Sequence, residues 1–294
     1  MPVDVSIETK TEVLMEALPY LQQFRGSIFV VKFGGSFMDT EQARVGVATD
    51  LVFLATVGIH VIVVHGGGPA INRAMAAANI EPVWKNGLRY TDEKTIDIVE
   101  KTLNGEINLG ICENIQIRKG NPIGIKGQDL FRCLKLEQDP DGNPVDLGYV
   151  GDISHVETSQ LKKYLQQGYI PIVSPVGRDA DGQYYNVNAD TAAAHLASAI
   201  GARRLVYLCD VPGLLRDPKD PESLISSVSR AEVPALRAGG VIGSGMLPKV
   251  ESAVNALSRG VHRVHLIDGR LPHSILLEIF TDKGVGTEIV HNPS

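Results

Sequence analysis

Three cysteines in 294 residues, Cys112, Cys133 and Cys209, are too few and too scattered for a disulfide framework or a CxxC metal site. That usage fits a reducing cytoplasm. Positive charge is also scarce. The 28 Lys and Arg stand against 34 Asp and Glu, and a net charge of −6 excludes a broad electrostatic grip on nucleic acid. Long hydrophobic runs are missing: the most apolar stretch, 51–64, is broken by Thr56, Gly58 and His60 and is too short to span a bilayer. The first residues carry Asp4, Glu8 and Glu12 where a secretory leader would be basic, so an intracellular protein with no membrane partner is expected. Three glycine motifs are lacking as well. There is no GxxxxGK[ST] phosphate loop, and the run from Gly66 places Ile71 where a dinucleotide fingerprint needs glycine or alanine. Ser36 and Ser244 both fail the GxSxG elbow that a hydrolase would need.

What remains is a chain of globular balance, 44% hydrophobic and 21% charged. Residues 1–25 read as an amphipathic helix. Ile7, Val13, Leu14, Ala17, Leu18, Leu21 and Phe24 recur at helical spacing, Thr9 with Glu12 has the form of a capping box, and Pro19 should kink the axis. Such a helix folds onto its own core or is offered to another subunit. From residue 28 short β-rich runs alternate with helices, beginning with the apolar strands 28–33 and 60–65. A helical stretch over 92–118 should break near Gly105. Runs 130–137 and 145–150 flank the turn signal Asp139-Pro140-Asp141-Gly142-Asn143 and predict a β-hairpin. Repeated βα units imply a three-layer α/β/α sandwich with a mainly parallel central sheet. The expected division is an N-terminal helix over 1–25, one lobe over 26–200 and a second over 201–294, within one continuous α/β unit.

Glycine clusters fall at strand ends, where open α/β sheets bind ligands. Lys32-Phe33-Gly34-Gly35-Ser36 follows the first strand, and His65-Gly66-Gly67-Gly68-Pro69 joins the second strand to a helix. Each alone is compatible with a tight turn; two at successive βα turns, with a lysine leaving an apolar strand, point to a phosphate site. Asn186-Val187-Asn188-Ala189-Asp190 opens an Ala-rich helix, so Asn188 or Asp190 either caps it or faces a ligand. Lys249 follows Gly243-Ser244-Gly245-Met246 and sits in the first turn of a helix. A cation there opposes the macrodipole unless an anion is bound nearby. Asp210-Val211-Pro212-Gly213 is a turn after another apolar strand.

Taken in order, these segments together with Lys85-Asn86-Gly87-Leu88-Arg89 resemble the motifs of the amino acid kinase family, and most of all its acetylglutamate kinase branch. The resemblance implies ATP and N-acetyl-L-glutamate as substrates and Mg²⁺ arriving with ATP, with no metal site built from protein side chains. It implies that Lys32 and Lys249 stabilise the transferring phosphoryl group and that Asp190 holds them. Gly67, Gly68, Arg89, Asn186 and Asn188 would surround the acetylated amino acid; Gly34, Gly35, Asp210, Gly245 and Met246 would serve the nucleotide. A carboxylate acceptor is already ionised at neutral pH, so no general base is required. The arginine-sensitive members of the branch resemble this chain at both ends. That implies a homohexamer, a trimer of dimers built through the N-terminal helix, with L-arginine as inhibitor at Glu278, Gly284 and Gly286. Glu278 read without the resemblance is simply a solvated helix residue. A kinase for an aminoadipate-type acceptor and a non-catalytic amino-acid sensor of the same fold remain as alternatives.

Overall fold

The computed structural model describes residues 6–139, 142–243 and 245–291. Pro140 and Asp141 of the turn, Ser244 of the last glycine cluster and both chain ends lie outside them. In chain order the elements are α1 (Ile7–Phe24), β1 (Ile28–Phe33), α2 (Glu41–Thr56), β2 (His60–His65), α3 (Gly68–Ala77), β3 (Trp84–Lys85), β4 (Leu88–Arg89) and α4 (Glu93–Lys101). There follow a π-helical turn (Thr102–Ile107), α5 (Asn108–Ile117), β5 (Pro122–Ile125), β6 (Phe131–Lys135), β7 (Gly151–Val156), α6 (Ser159–Gln166), β8 (Ile170–Val173), β9 (Val176–Arg178) and β10 (Tyr184–Asn186). The chain closes with α7 (Ala189–Ile200), β11 (Arg204–Cys209), β12 (Ser227–Ser229), α8 (Val233–Ala238), α9 (Leu247–Ser258), β13 (Arg263–Asp268), α10 (Ser274–Phe280) and β14 (Thr287–Val290).

Eight strands form the central sheet in the order β12-β14-β13-β11-β1-β2-β8-β5. The pairs from β13 to β5 are all parallel, and β14 runs antiparallel to β13. Alternation along β1 and β2 explains why these strands read as unbroken apolar runs. Val30, Ile62 and Val64 join the core under α7 and α9, whereas Phe29, Val31, Val61 and Val63 join the core under α2, α5 and α10. Both faces are covered, and the three layers follow. Because β1, β2 and β11 are parallel, Lys32, His65 and Cys209 reach the same edge of the sheet.

Smaller sheets lie over that edge. β10-β9-β6-β7 make a four-stranded sheet, and β3 pairs with β4 across Asn86 and Gly87. Both turn residues have positive φ, 51° and 76°, which is what a tight two-residue hairpin turn demands of Asn-Gly. Of the predicted hairpin the first strand forms as β6, but its partner is β7 over 151–156, wholly beyond the predicted run 145–150. Residues 145–150 form an extended connection: Val145 N–H donates to Glu137 O and Leu136 N–H to Val150 O, while Leu147 and Tyr149 bond Thr91. The break predicted near Gly105 is the π-helical turn.

Helix α1 needs one correction. Its cap is Ser6, whose Oγ accepts from Thr9 N–H at 3.1 Å, so the helix starts a turn before the expected Thr9–Glu12 box. Both uses foreseen for this helix have a physical basis. Phe24 is buried against Phe29, and Tyr20 donates to Asp282 at 2.6 Å, while Ile7, Val13, Leu14, Met15 and Leu18 face outward. Among the described residues, no helix is long and apolar enough to cross a membrane.

Leu51 of α2 is fully buried in the core that α2 shares with β1. Leu51→Ala should cost about 2–5 kcal/mol through lost transfer energy and the cavity left behind. Urea denaturation would show this as a lower midpoint at unchanged slope; an unchanged midpoint would mean that α2 is not packed as described.

Candidate active site

At the carboxyl edge of the parallel strands, three charged side chains meet inside the protein. Asp190 Oδ1 lies 2.9 Å from Lys32 Nζ, and Asp190 Oδ2 lies 2.8 Å from Lys249 Nζ. Each comes from a different element: Lys32 from β1, Asp190 from the first turn of α7, Lys249 from the first turn of α9. Asn188 caps α7, its Oδ1 accepting from Asp190 N–H at 2.8 Å and Thr191 N–H at 3.1 Å. Of the two residues expected either to cap or to face a ligand, Asn188 caps and Asp190 bridges the lysines. Burial pushes the Asp190 carboxyl up, but the two ammonium groups outweigh it and hold it below the usual carboxylate range. Burial likewise disfavours the Lys249 ammonium, and Asp190 more than reverses this. The cluster carries two positive charges and one negative, a surplus of one cation. The Asp190 carboxylate beside Lys249 is the anion that answers the objection to a lysine at a helix N-terminus.

The glycine loops allow this convergence. A Cβ on Gly34 would lie 2.9 Å from Lys32 Nζ and 3.1 Å from Gly66 N, so the two loops touch only because neither carries a side chain. Gly66 N–H donates to Phe33 O at 2.7 Å. A Cβ on Gly67 would meet Leu103 Cδ2 at 2.5 Å. Beside these loops opens a cavity of about 260 Å³, into which Lys32, Gly35, Gly67, Gly68, Arg89, Asn186 and Asn188 all face.

Arg89 sits at this cavity in an unusual cradle. It is 5% exposed, and its partners are neutral: Asn72 Oδ1 at 2.6 Å, Gly68 O at 3.5 Å and Met75 Sδ at 3.2 Å. Trp84 of the β3–β4 hairpin stacks on the guanidinium at 4.6 Å. No ion pair to Arg89 occurs among the described residues. Burial pushes its pKa below the ordinary guanidinium range, yet it stays charged. A buried guanidinium without a carboxylate is costly unless an anion completes it. Thr91 ties this strand to Asn186, whose Nδ2 donates to Thr91 Oγ1 at 3.2 Å.

Sequence reasoning missed Asn72, Met75 and Trp84. A signal was present for two of them: Gly68, Asn72 and Met75 stand at i, i+4 and i+7 on one face of α3. Of the residues expected near a nucleotide, Gly35 lines the cavity and Gly34 packs on Lys32 and Gly66. Asp210, at the exposed end of β11, and Gly245 and Met246, before α9, stand outside the cavity wall on the Lys249 side. Among the described residues, no three His, Cys, Asp or Glu side chains are placed to hold a metal ion.

Glu278 departs from a solvated helix position. Its carboxylate is buried, with Oε1 2.7 Å from His265 Nδ1, and Oε2 accepting from Val285 N–H at 2.7 Å and Gly286 N–H at 2.9 Å. Gly284, with φ of 60°, turns the loop around it. The three residues expected to act together do meet in space.

Residues 27–268 match the model of the amino acid kinase family. The chain is 47% identical over 284 residues to an acetylglutamate kinase of Carboxydothermus hydrogenoformans, covering 95% of this chain and 97% of that one. It is 44% identical over 288 residues to an acetylglutamate kinase of Synechococcus elongatus, covering 98% and 94%. Among solved structures, N-acetylglutamate synthase from Neisseria gonorrhoeae, complexed with coenzyme A and N-acetyl-glutamate, matches with a TM-score of 0.85 at 27% identity. That match covers 99% of this chain and only 65% of the longer synthase chain. Carbamate kinase from Giardia lamblia, bound to AMP-PNP, shares the fold at 17% identity and a TM-score of 0.65. Likeness at this identity over nearly the whole length makes the chain a member of the amino acid kinase family, and a kinase.

Proposed function

We propose that this kinase transfers the γ-phosphoryl group of ATP to the side-chain carboxylate of N-acetyl-L-glutamate, in arginine biosynthesis in the cytoplasm. The observation that carries this reading is one cavity with a net positive charge at each end, Lys32 of the lysine pair on one wall and Arg89 on another. The lysine–aspartate–lysine cluster waits for phosphate at one end, and Arg89 waits for a carboxylate at the other. A carboxylate oxygen attacks the γ-phosphorus, the bond to the β–γ bridging oxygen breaks, and ADP leaves; no proton moves. Catalysis then rests on positioning and charge stabilisation. Lys32 and Lys249 neutralise charge on the transferring group, and Asp190 sets their separation. Gly67, Gly68, Asn186 and Asn188 enclose the acceptor with Arg89, whose planar fork suits both oxygens of its α-carboxylate. Gly34 and Gly35, with Asp210, Gly245 and Met246, serve the nucleotide. Residues 26–200 present the acceptor and residues 201–294 the nucleotide, apart from the Gly34–Gly35 loop, which reaches the nucleotide from the first lobe; Mg²⁺ comes with ATP, held mainly by phosphate and water.

Trapping the acyl phosphate as a hydroxamate, with ATP and a panel of acylated amino acids, tests the reaction. N-acetyl-L-glutamate should be the preferred acceptor. A preference for N-acetyl-aminoadipate would move the assignment to the longer acceptor, and no hydroxamate with any acceptor would overturn it. Within that assay, Lys249→Ala should lower turnover at least about a hundredfold, with much smaller changes in substrate affinity. Near-normal turnover would return Lys249 to a helix-start lysine. Arg89→Ala should raise KM for the acceptor at least about tenfold while KM for ATP stays within about twofold, because only the acceptor meets the guanidinium. Equal weakening of both would mark Arg89 as structural.

We also propose feedback inhibition by L-arginine in a hexamer built from three dimers. Support comes from the outward apolar stripe of α1, from the α1 contact to Asp282, and from the buried Glu278 within a glycine turn. Since Phe24 belongs to the core, the stripe is best tested without removing the helix. Val13→Glu combined with Leu14→Glu should leave turnover intact, reduce a hexamer to dimers in light scattering, and weaken inhibition. A wild-type protein that is dimeric and indifferent to millimolar arginine would refute this regulation.

A further inference from the structure

His65 ends β2 beside the glycine loop, and both of its ring nitrogens are engaged although the residue is fully buried. Nδ1 lies 2.9 Å from the carbonyl oxygen of Gly66, and Nε2 lies 3.2 Å from Nδ2 of Asn108. The second contact decides the first. Asn108 Nδ2 also lies 2.8 Å from the carbonyl oxygen of Ile172, which can only accept, so this end of the amide is its NH₂ group. His65 Nε2 therefore accepts from Asn108. The neutral ring carries its proton on Nδ1, and Nδ1–H donates to Gly66. Burial pushes the imidazole down to about 4, against a smaller opposing effect of the Gly66 carbonyl, so this single tautomer holds at neutral pH.

The consequence lies one peptide further along. A trans peptide points its C=O and N–H in opposite directions, and no described peptide is cis. With the Gly66 carbonyl turned back onto His65, the Gly67 N–H is turned away from it. That N–H has no protein partner among the described residues, and Gly66 and Gly67 line the cavity beside Lys32. We infer that Asn108 and His65 are positioning residues that lock the Gly66–Gly67 peptide so that the Gly67 N–H is aimed at the phosphoryl oxygens during transfer. The inference rests on the phosphoryl-transfer reading above and adds to it the origin of one preorganised donor.

The surrounding chain is built for this. Residues five apart on an α-helix lie about 140° apart around its axis. The π-helical turn at 102–107 re-registers the helix, so that Leu103 closes on Gly67 and Asn108 closes on His65. Gly124 of β5 leaves the room that the Asn108 side chain occupies, since a Cβ there would collide with Asn108 Oδ1.

Two substitutions separate positioning from packing. The amide of an asparagine at position 65 stands where Nδ1 stands and can still donate to Gly66. The amide of a glutamine reaches only the Nε2 position, so it meets Asn108 and leaves Gly66 unanchored. His65→Gln should lower kcat about 10- to 100-fold with both KM values within about threefold, and His65→Asn should keep kcat within about fivefold. A packing role ranks them oppositely, because asparagine leaves the larger void; that order would overturn the inference. Should either variant fail to fold, nitrogen-15 NMR of the wild-type imidazole decides. Protonated Nδ1 and bare Nε2, unchanged from pH 5.5 to 8, is the expected result, and a proton on Nε2 would overturn the inference. Wild-type hydroxamate formation is the separate control: its absence removes the transfer reading, whereas the tautomer is measured without turnover.

Discussion

One buried carboxylate between two ammonium groups dictates much of this molecule. Asp190 is nearly removed from water, where an isolated charge would be prohibitive, and it stays ionised because Lys32 and Lys249 lie within 3 Å of its two oxygens. The first turn of α7 adds its dipole to the same end, and Tyr207 anchors that turn by donating to the Asp190 carbonyl at 3.1 Å. The lysines repel one another and hold together only through Asp190. An anion entering the cavity beside Lys32 therefore meets a cluster of net positive charge whose two lysines Asp190 already holds together. That is the condition under which electrostatic stabilisation acts most strongly on a transition state.

The rest of the site follows from bringing β1, α7 and α9 to one point. Backbone must pass close to Lys32, hence glycine at 34 and 66. A helix must start beside the second loop, hence Gly68 and Pro69 at the head of α3, whose next turns carry Asn72 and Met75 to Arg89. Arg89 differs from the lysines in a way that matters for selectivity. Its edges are held by neutral acceptors and its face by Trp84, so its charge stays uncompensated while its orientation is fixed. A carboxylate partner of its own would weaken its hold on a ligand carboxylate. On the proposed reaction, an acceptor with two anionic groups would meet the fixed fork of Arg89 with one and the lysine cluster with the other.

Legibility in the sequence followed the range of the interactions. Strands β1 and β2, the glycine loops and the helix after Asn188 were readable, because burial on both faces, tight turns and caps leave local patterns. The Asn-Gly hairpin was readable for the same reason. Long-range choices were not. Nothing near Asn108 announces that it will meet His65, 43 positions earlier. Residues 145–150 have strand character but divide their bonds between Thr91 from another segment and Leu136 and Glu137, so the strand that pairs with β6 is the following run, 151–156. At the start of α1, Thr9 and Glu12 fit the capping pattern as well as Ser6 does, and only the structure separates them. Glu278 looked like an ordinary charged helix face, and only the fold reveals that α10 turns that face inward, onto His265 and the 284–286 loop.

That last arrangement constrains how a guanidinium ligand would act there. A carboxylate offers about four lone-pair sites. His265, Val285 N–H and Gly286 N–H occupy three of those on Glu278, and burial is offset by the same three contacts, which hold its carboxyl below the usual range. A bidentate fork needs two sites. On the proposed regulation, arginine therefore cannot simply add to the arrangement described; it must displace either His265 or the glycine loop. His265 belongs to β13, which pairs along its whole length with β11, the strand that ends in Cys209 and is followed by Asp210 near Lys249. The glycine loop leads directly into β14, on the other side of β13. On that proposal, either displacement would load the half of the sheet from which Lys249 reaches Asp190, and use of Glu278 by loop or by ligand would be the pair of states to look for.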